Sequence, residues 1–104
     1  MSHESFPSIS PTESLILELL EARQRYGLEL VDASDGRLKR GSVYVLLGRM
    51  EKKGFVRSRQ EARQPGAVGL PRRVYEATDY GLKVRAAYRL LREALALRPA
   101  EARS

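Results

Sequence analysis

The run Arg40-Gly41-Ser42-Val43-Tyr44-Val45-Leu46-Leu47-Gly48-Arg49-Met50-Glu51-Lys52-Lys53-Gly54 decides the fold. Val43, Leu46, Leu47 and Met50 recur at helical spacing, which predicts a helix from about Arg40 to Lys53 with one buried stripe, closed by Gly54. The other face carries Ser42, Tyr44, Val45, Gly48, Arg49 and Lys52, with Lys39 and Arg40 at its start. Free N–H groups and the helix dipole at such a start favour a phosphate. A Tyr hydroxyl can donate to phosphate, and a Val can touch a thymine methyl. The alternatives are a Tyr44 that packs against the wing or the first helix and a Val45 that is simply exposed.

Upstream, Ser10-Pro11-Thr12-Glu13 has the form of a helix start, with Ser10 as cap, Pro11 in the first turn and Glu13 at the reciprocal position. Leu15, Ile16, Leu19 and Leu20 extend that helix to about Arg25, where Tyr26-Gly27 breaks it. Leu28, Leu30 and Val31 begin a short second helix, and Asp35-Gly36 supplies a turn. Residues 1–9 read as an adaptable arm. Downstream, Phe55 to Gln60 and Arg72 to Ala77 read as two strands of a hairpin, joined by a loop containing Pro65-Gly66 and Gly69 to Pro71. Thr78 or Asp79 can cap a last helix that runs to about Leu97 and stops at Pro99. Three helices followed by a basic hairpin is the order of a winged helix-turn-helix, whose third helix enters the major groove. The expected fold is therefore mainly α with a small β-hairpin. It divides into the arm at 1–9, a winged helix-turn-helix at 10–78, a dimerisation helix at 79–98 and a tail at 99–104.

The charge agrees with that order. The 104 residues carry a net +6, yet between Arg37 and Arg73 eleven Lys and Arg face only Glu51 and Glu61. That segment holds +9 and the remainder −3. A basic patch on one side of a small domain points to nucleic acid. The wing would contribute Arg63, Arg72 and Arg73 beside a Gly/Pro loop able to follow a groove.

Tyr26-Gly27-Leu28-Glu29-Leu30, Gly41-Ser42-Val43-Tyr44-Val45-Leu46-Leu47, Arg49-Met50-Glu51 and Gly54-Phe55-Val56 together resemble the PadR family of bacterial transcriptional regulators. Pro71-Arg72-Arg73-Val74-Tyr75 with Thr78 and Gly81 is similar to that family's second wing strand and the start of its last helix. The resemblance covers roughly Leu15 to Leu91. It implies a dimeric winged-helix protein, usually a repressor, that is often released from DNA by a small effector. The short chain is similar to the subfamily that includes multidrug-responsive repressors. Two positions depart from the family: Val45 stands where Pro is usual, and Gly48 where a long, often basic residue is usual.

The last helix carries two apolar stripes, Leu82, Ala86, Leu90 and Leu97 on one and Val84, Ala87, Tyr88, Leu91 and Leu95 on the other. A helix apolar over most of its girth must be covered on more than one side. A second copy of the chain is the expected cover, with Leu82, Val84, Tyr88, Leu91 and Leu95 at the interface. Two copies would present paired helices to an inverted repeat in double-stranded DNA. In the multidrug-binding members that the resemblance brings in, flat ligands stack on tryptophan between the protomers. This chain has no Trp, and an aromatic or hydrophobic effector is expected instead around Leu15, Leu19, Tyr88 and Leu91.

No enzymatic constellation emerges. The single His lies in the arm, Cys is absent, and no Gly-rich phosphate loop follows a strand. Neither a cofactor nor a metal is expected. Glu29, Asp32 and Asp35 lack a full calcium ligand set and read as a solvated acidic edge. No apolar run approaches the roughly 20 residues of a membrane span. The absence of Cys fits a reducing cytoplasm, and no signal peptide is expected. The competing expectation from another class is a winged-helix interaction module whose basic face holds an acidic protein.

Overall fold

The computed structural model describes residues 7–62, 66, 69 and 71–97. Helix α1 spans Pro11–Ala22 and begins with the expected capping box. Ser10 Oγ accepts from the Glu13 amide at 3.1 Å, and the Glu13 carboxylate accepts from the Ser10 amide at 2.8 Å. Glu13 is buried, and Lys53 Nζ donates to it at 2.8 Å from the far end of the third helix. A buried carboxylate is tolerable when paired and hydrogen-bonded in this way. Lys53 thus points inward, and its charge is taken out of the basic face.

The first helix ends at Ala22 rather than Arg25. Arg25 Nε caps its C-terminus by donating to the Leu19 carbonyl at 3.0 Å. The chain then forms a two-residue strand, β1 (Arg25–Tyr26), before α2 (Gly27–Ala33). Ser34, also buried, closes α2 by donating to the Val31 carbonyl and accepting from the Leu38 amide. Asp35 and Gly36 both take positive φ, 57° and 86°, so the turn read from Asp35-Gly36 is present.

Helix α3 spans Val43–Lys52 and begins three residues later than the hydrophobic period predicts. Lys39, Arg40, Gly41 and Ser42 form the turn before it, with the Ser42 and Val43 amides both donating to the Lys39 carbonyl. Gly41 and Ser42 are weak helix formers, and spacing alone does not register their turn geometry. Val43, Leu47 and Met50 are buried, while Leu46 is half-buried at the edge of the core. Gly54 reverses the chain at φ 81° and drops Phe55 into the core.

Strands β2 (Val56–Gln60) and β3 (Arg73–Ala77) pair antiparallel with Ser58 opposite Tyr75. The sheet has three strands in the order β1-β3-β2, with Tyr26 opposite Val74, and not the two of a plain hairpin. The core lies between α1, α2, α3 and this sheet, around Ile16, Leu17, Leu30, Leu47, Met50 and Phe55.

Helix α4 spans Asp79–Ala96 and is capped by Thr78, whose Oγ1 accepts from the Gly81 amide at 2.9 Å and donates to the Gly54 carbonyl at 2.6 Å. One hydroxyl therefore starts α4 and ties it to the end of α3. Arg85 reaches back to α1, 3.0 Å from Glu21 and 3.8 Å from Glu18. Val84 is buried in the protomer's own core, a correction to its expected place facing a second copy. Tyr88 is half-buried, and its hydroxyl donates to the Pro7 carbonyl at 2.7 Å. Lys53 also donates to the Ser8 carbonyl, and Ile9 packs on the core, so residues 7–9 are pinned and not free as an arm. Beyond Tyr88 the helix loses cover, and Leu90, Leu91, Leu95 and Leu97 are 51–80% exposed. Leu82 is half-buried.

Gly48 sits on the outer face of α3, and a Cβ built there meets nothing within 4 Å. Gly48→Ala is therefore expected to stabilise the fold by up to about 1 kcal/mol, the helix-propensity difference, because no clash opposes it. Urea titration followed by circular dichroism checks this, with the midpoint moving up and the slope unchanged.

Candidate nucleic-acid interface

Two concavities flank the outer face of α3. Around the first, of about 200 Å³, lie Arg37, Lys39, Ser42, Val45, Leu46 and Arg49. Four of the expected site residues, Lys39, Ser42, Val45 and Arg49, thus converge from the turn and the first two turns of α3. Arg37 joins them. It follows the Asp35-Gly36 turn and belongs to no periodic segment, so spacing gives its charge no role. Arg40 is exposed in the same turn. Lys39 and Arg40 thus precede the helix and do not stand in its first turn, which moves their charge ahead of its N-terminus.

The second concavity is a cleft of about 610 Å³ between α2, α3 and the hairpin. Its walls include Tyr26, Leu28, Tyr44, Arg72, Arg73 and Tyr75. Tyr44 is 49% exposed and rests on Gly27, where a Cβ would come within 2.5 Å of its ring. The ring thus packs on the first residue of α2 while its other side opens to the cleft. Tyr44 is packed on one side and exposed on the other, and the element it leans on is α2, neither the wing nor the first helix. Val45 is 63% exposed and makes no comparable internal contact through a neighbouring glycine.

The hairpin arginines are held. Arg72 lies over the Tyr26 ring, 4.1 Å from its centroid, a cation–π geometry. Arg73 donates to Ser58 Oγ at 3.0 Å, and Ser58 donates in turn to Glu51 at the end of α3. Arg57 is paired with Glu76, and Arg59 donates to the Gln24 side chain. Arg63 lies outside the described residues. The Tyr26 phenol is pushed above its ordinary range, first by its hydrogen bond to Glu61 and then by burial. Burial, followed by the nearby Glu51, pushes Tyr75 up as well. Both hydroxyls therefore stay protonated at neutral pH and remain donors. In the sequence, Tyr26 and Leu28 read only as a helix break, an apolar position and part of the family resemblance, with no place in a site.

Convergent guanidinium and ammonium groups, the exposed Tyr44 phenol and an exposed aliphatic can receive a phosphate backbone and touch base edges. Among the described residues no group of His, Cys, Asp and Glu is placed to hold a metal ion, and no helix is long and apolar enough to cross a membrane. The residues expected around an effector are spread over the junction of α1 and α4. Leu15 is buried, Leu19 and Tyr88 are half-buried, and Leu91 is open to solvent.

The family model described as the transcriptional regulator PadR-like family matches residues 16–87. Among solved structures, a PadR family transcription regulator from Clostridium difficile R20291 is 24% identical over 88% of this chain and 96% of its own, with a TM-score of 0.67. A PadR family transcriptional regulator from Eggerthella lenta DSM 2243 is 26% identical over 86% of this chain and 78% of its own, with a TM-score of 0.68. PadR from Bacillus subtilis, solved in complex with operator DNA, is 18% identical over 79% of this chain and 48% of its own, with a TM-score of 0.67. No curated protein matches the sequence.

Proposed function

Because the chain belongs to the PadR-like family of transcriptional regulators, we propose that it binds double-stranded DNA as a homodimer and acts as a repressor on an inverted-repeat operator in the cytoplasm. The observation that carries this reading is the gathering of Lys39, Ser42, Val45 and Arg49 about one concavity on α3, and of Tyr44, Arg72 and Arg73 about the cleft beside it. In this reading α3 is the recognition helix, with Ser42, Tyr44, Val45 and Arg49 toward the major groove. The hairpin is the wing, where Arg63 joins Arg72 and Arg73. The B. subtilis PadR structure with operator DNA supports the same use of a shared fold. The open leucines of α4 support the dimer. A small hydrophobic effector would release DNA from a seat near Leu19, Tyr88 and Leu91, where a second copy supplies the missing wall; Leu15 lies beneath that seat.

The decisive test selects genomic fragments with purified protein and searches them for a shared palindrome. A palindromic duplex should then outcompete a scrambled one by a factor of about a thousand or more at fixed salt. Equal competition would favour the acidic-partner reading of the basic face.

Arg72→Ala should weaken binding to both duplexes alike, because a wing contact to phosphate carries little sequence information. It should also reduce the magnitude of the log–log salt slope by about one. Fluorescence anisotropy across a salt series checks this. An unchanged slope with altered base preference would mean that the wing reads bases.

A further inference from the structure

Tyr26 touches both legs of the hairpin at the point where its ladder ends. Its backbone pairs with Val74 on β3. Its hydroxyl donates to Glu61, the residue after β2, at 2.5 Å. Its ring lies under the guanidinium of Arg72, the residue before β3. Glu61 and Arg72 are themselves joined, the Glu61 amide donating to the Arg72 carbonyl at 2.7 Å. One residue from outside the hairpin therefore holds the acid and the base that stand where the wing leaves the sheet.

We infer that Tyr26 is the positioning residue of the wing: its hydroxyl holds the Glu61 carboxylate against the sheet and its ring presents Arg72 to a DNA phosphate. The inference rests on the DNA-binding reading above. A free arginine loses many rotamers when it docks on a phosphate, and stacking takes much of that loss before DNA arrives. Left loose, the Glu61 carboxylate would repel the strand that Arg72 attracts, adding to Glu29, which lines the same cleft and accepts from the Tyr26 amide at 2.8 Å. The hydroxyl bond fixes the direction of Glu61. Tyr26 itself need not touch DNA.

The experiment is a double-mutant cycle on palindrome affinity, using the full chain and a salt series, with thermal melts alongside. Tyr26→Leu should weaken binding about fivefold or more in the wild-type background and less than about twofold in an Arg72→Ala background. Its salt slope should fall by about one, matching that of Arg72→Ala, a change that general destabilisation would not produce. Tyr26→Phe keeps the stack and guards against a misfolded Leu variant. It should weaken binding by a smaller factor, and Glu61→Gln should restore the loss by removing the loosened charge. Additive effects, or tighter binding by Tyr26→Leu, would overturn the role of Tyr26 while leaving DNA binding intact. A wild-type chain that ignores duplex would overturn the underlying reading as well.

Discussion

Leu91→Asp is expected to turn a dimer into monomers. The wild-type protein should sediment at about twice the 11.7 kDa of one chain at micromolar concentration, and the variant at one chain's mass. Leu91 lies seven residues after Val84, on the same side of α4. Val84 is covered by the protomer's own core, whereas Leu91 extends past the end of that core and is half exposed. Leu95 continues the same side one turn later and is also exposed, while Leu90 and Leu97 belong to the other apolar stripe. Burying a leucine fully is worth about 1.5–3 kcal/mol, so Leu91 and Leu95 from each of two chains, flanked by Tyr88, supply the main gain set against the cost of association. A carboxylate in their midst would be desolvated without a partner, which the interface cannot tolerate. The melting curve distinguishes the outcomes. A folded variant of single-chain mass supports the interface, and a folded variant of unchanged mass places the contact elsewhere. Palindrome affinity should fall with the dimer, since each half-site would then be bound alone.

Gly81→Ala is expected to be the most damaging single methyl group in the molecule. A Cβ at Gly81 would stand 2.2 Å from the Phe55 carbonyl oxygen and 2.9 Å from its Cα. Backbone at that point cannot withdraw, because Phe55 is fully buried and its carbonyl accepts from the Thr78 amide at 3.0 Å. Relief therefore requires α4 to move away, which also breaks the Thr78 cap. Overpacking costs about 1–3 kcal/mol and a lost cap about 1 kcal/mol more. Together they amount to about 2–4 kcal/mol, a large share of the 5–15 kcal/mol that holds a typical domain folded. The melting temperature should drop by about 8 °C or more at roughly 4–8 °C per kcal/mol. A melt within two degrees of wild type would mean that α4 docks more loosely than these distances imply.

What the sequence revealed and what it withheld divide along physical lines. The capping box at Ser10 and Glu13, the Asp35-Gly36 turn and the hairpin strands are local chemistry, each specified within a few residues. All three are present in the structure. Strand β1 is two residues long and has no period to read; it exists because β3 offers an open edge beside it. The start of α3 slipped because Gly41 and Ser42 favour a turn that hydrophobic spacing cannot register. Along α4, periodicity finds apolar stripes but not their neighbours, so Val84 and Leu91 read alike although only one is covered. Lys53 counted toward the basic face until its partner Glu13, forty residues away, turned it inward. Arg37, and the contacts of Tyr26 with the hairpin, gain significance only from what the fold sets beside them.

Gly48 marks a division of labour on α3. Tyr44 leans on Gly27 and is bound to the architecture of α2, but one turn along, Gly48 faces open space beside the exposed Val45 and Arg49. Those three positions have no duty to the interior, so they form a cassette that can be rewritten without renegotiating the fold. A library randomised at 45, 48 and 49 would keep the scaffold and vary only the address. New side chains at 48 would lengthen the reach of the helix where it is now shortest. With α3 as the recognition helix proposed above, the bare backbone there would make the chain a ready parent for regulators with mutually exclusive targets.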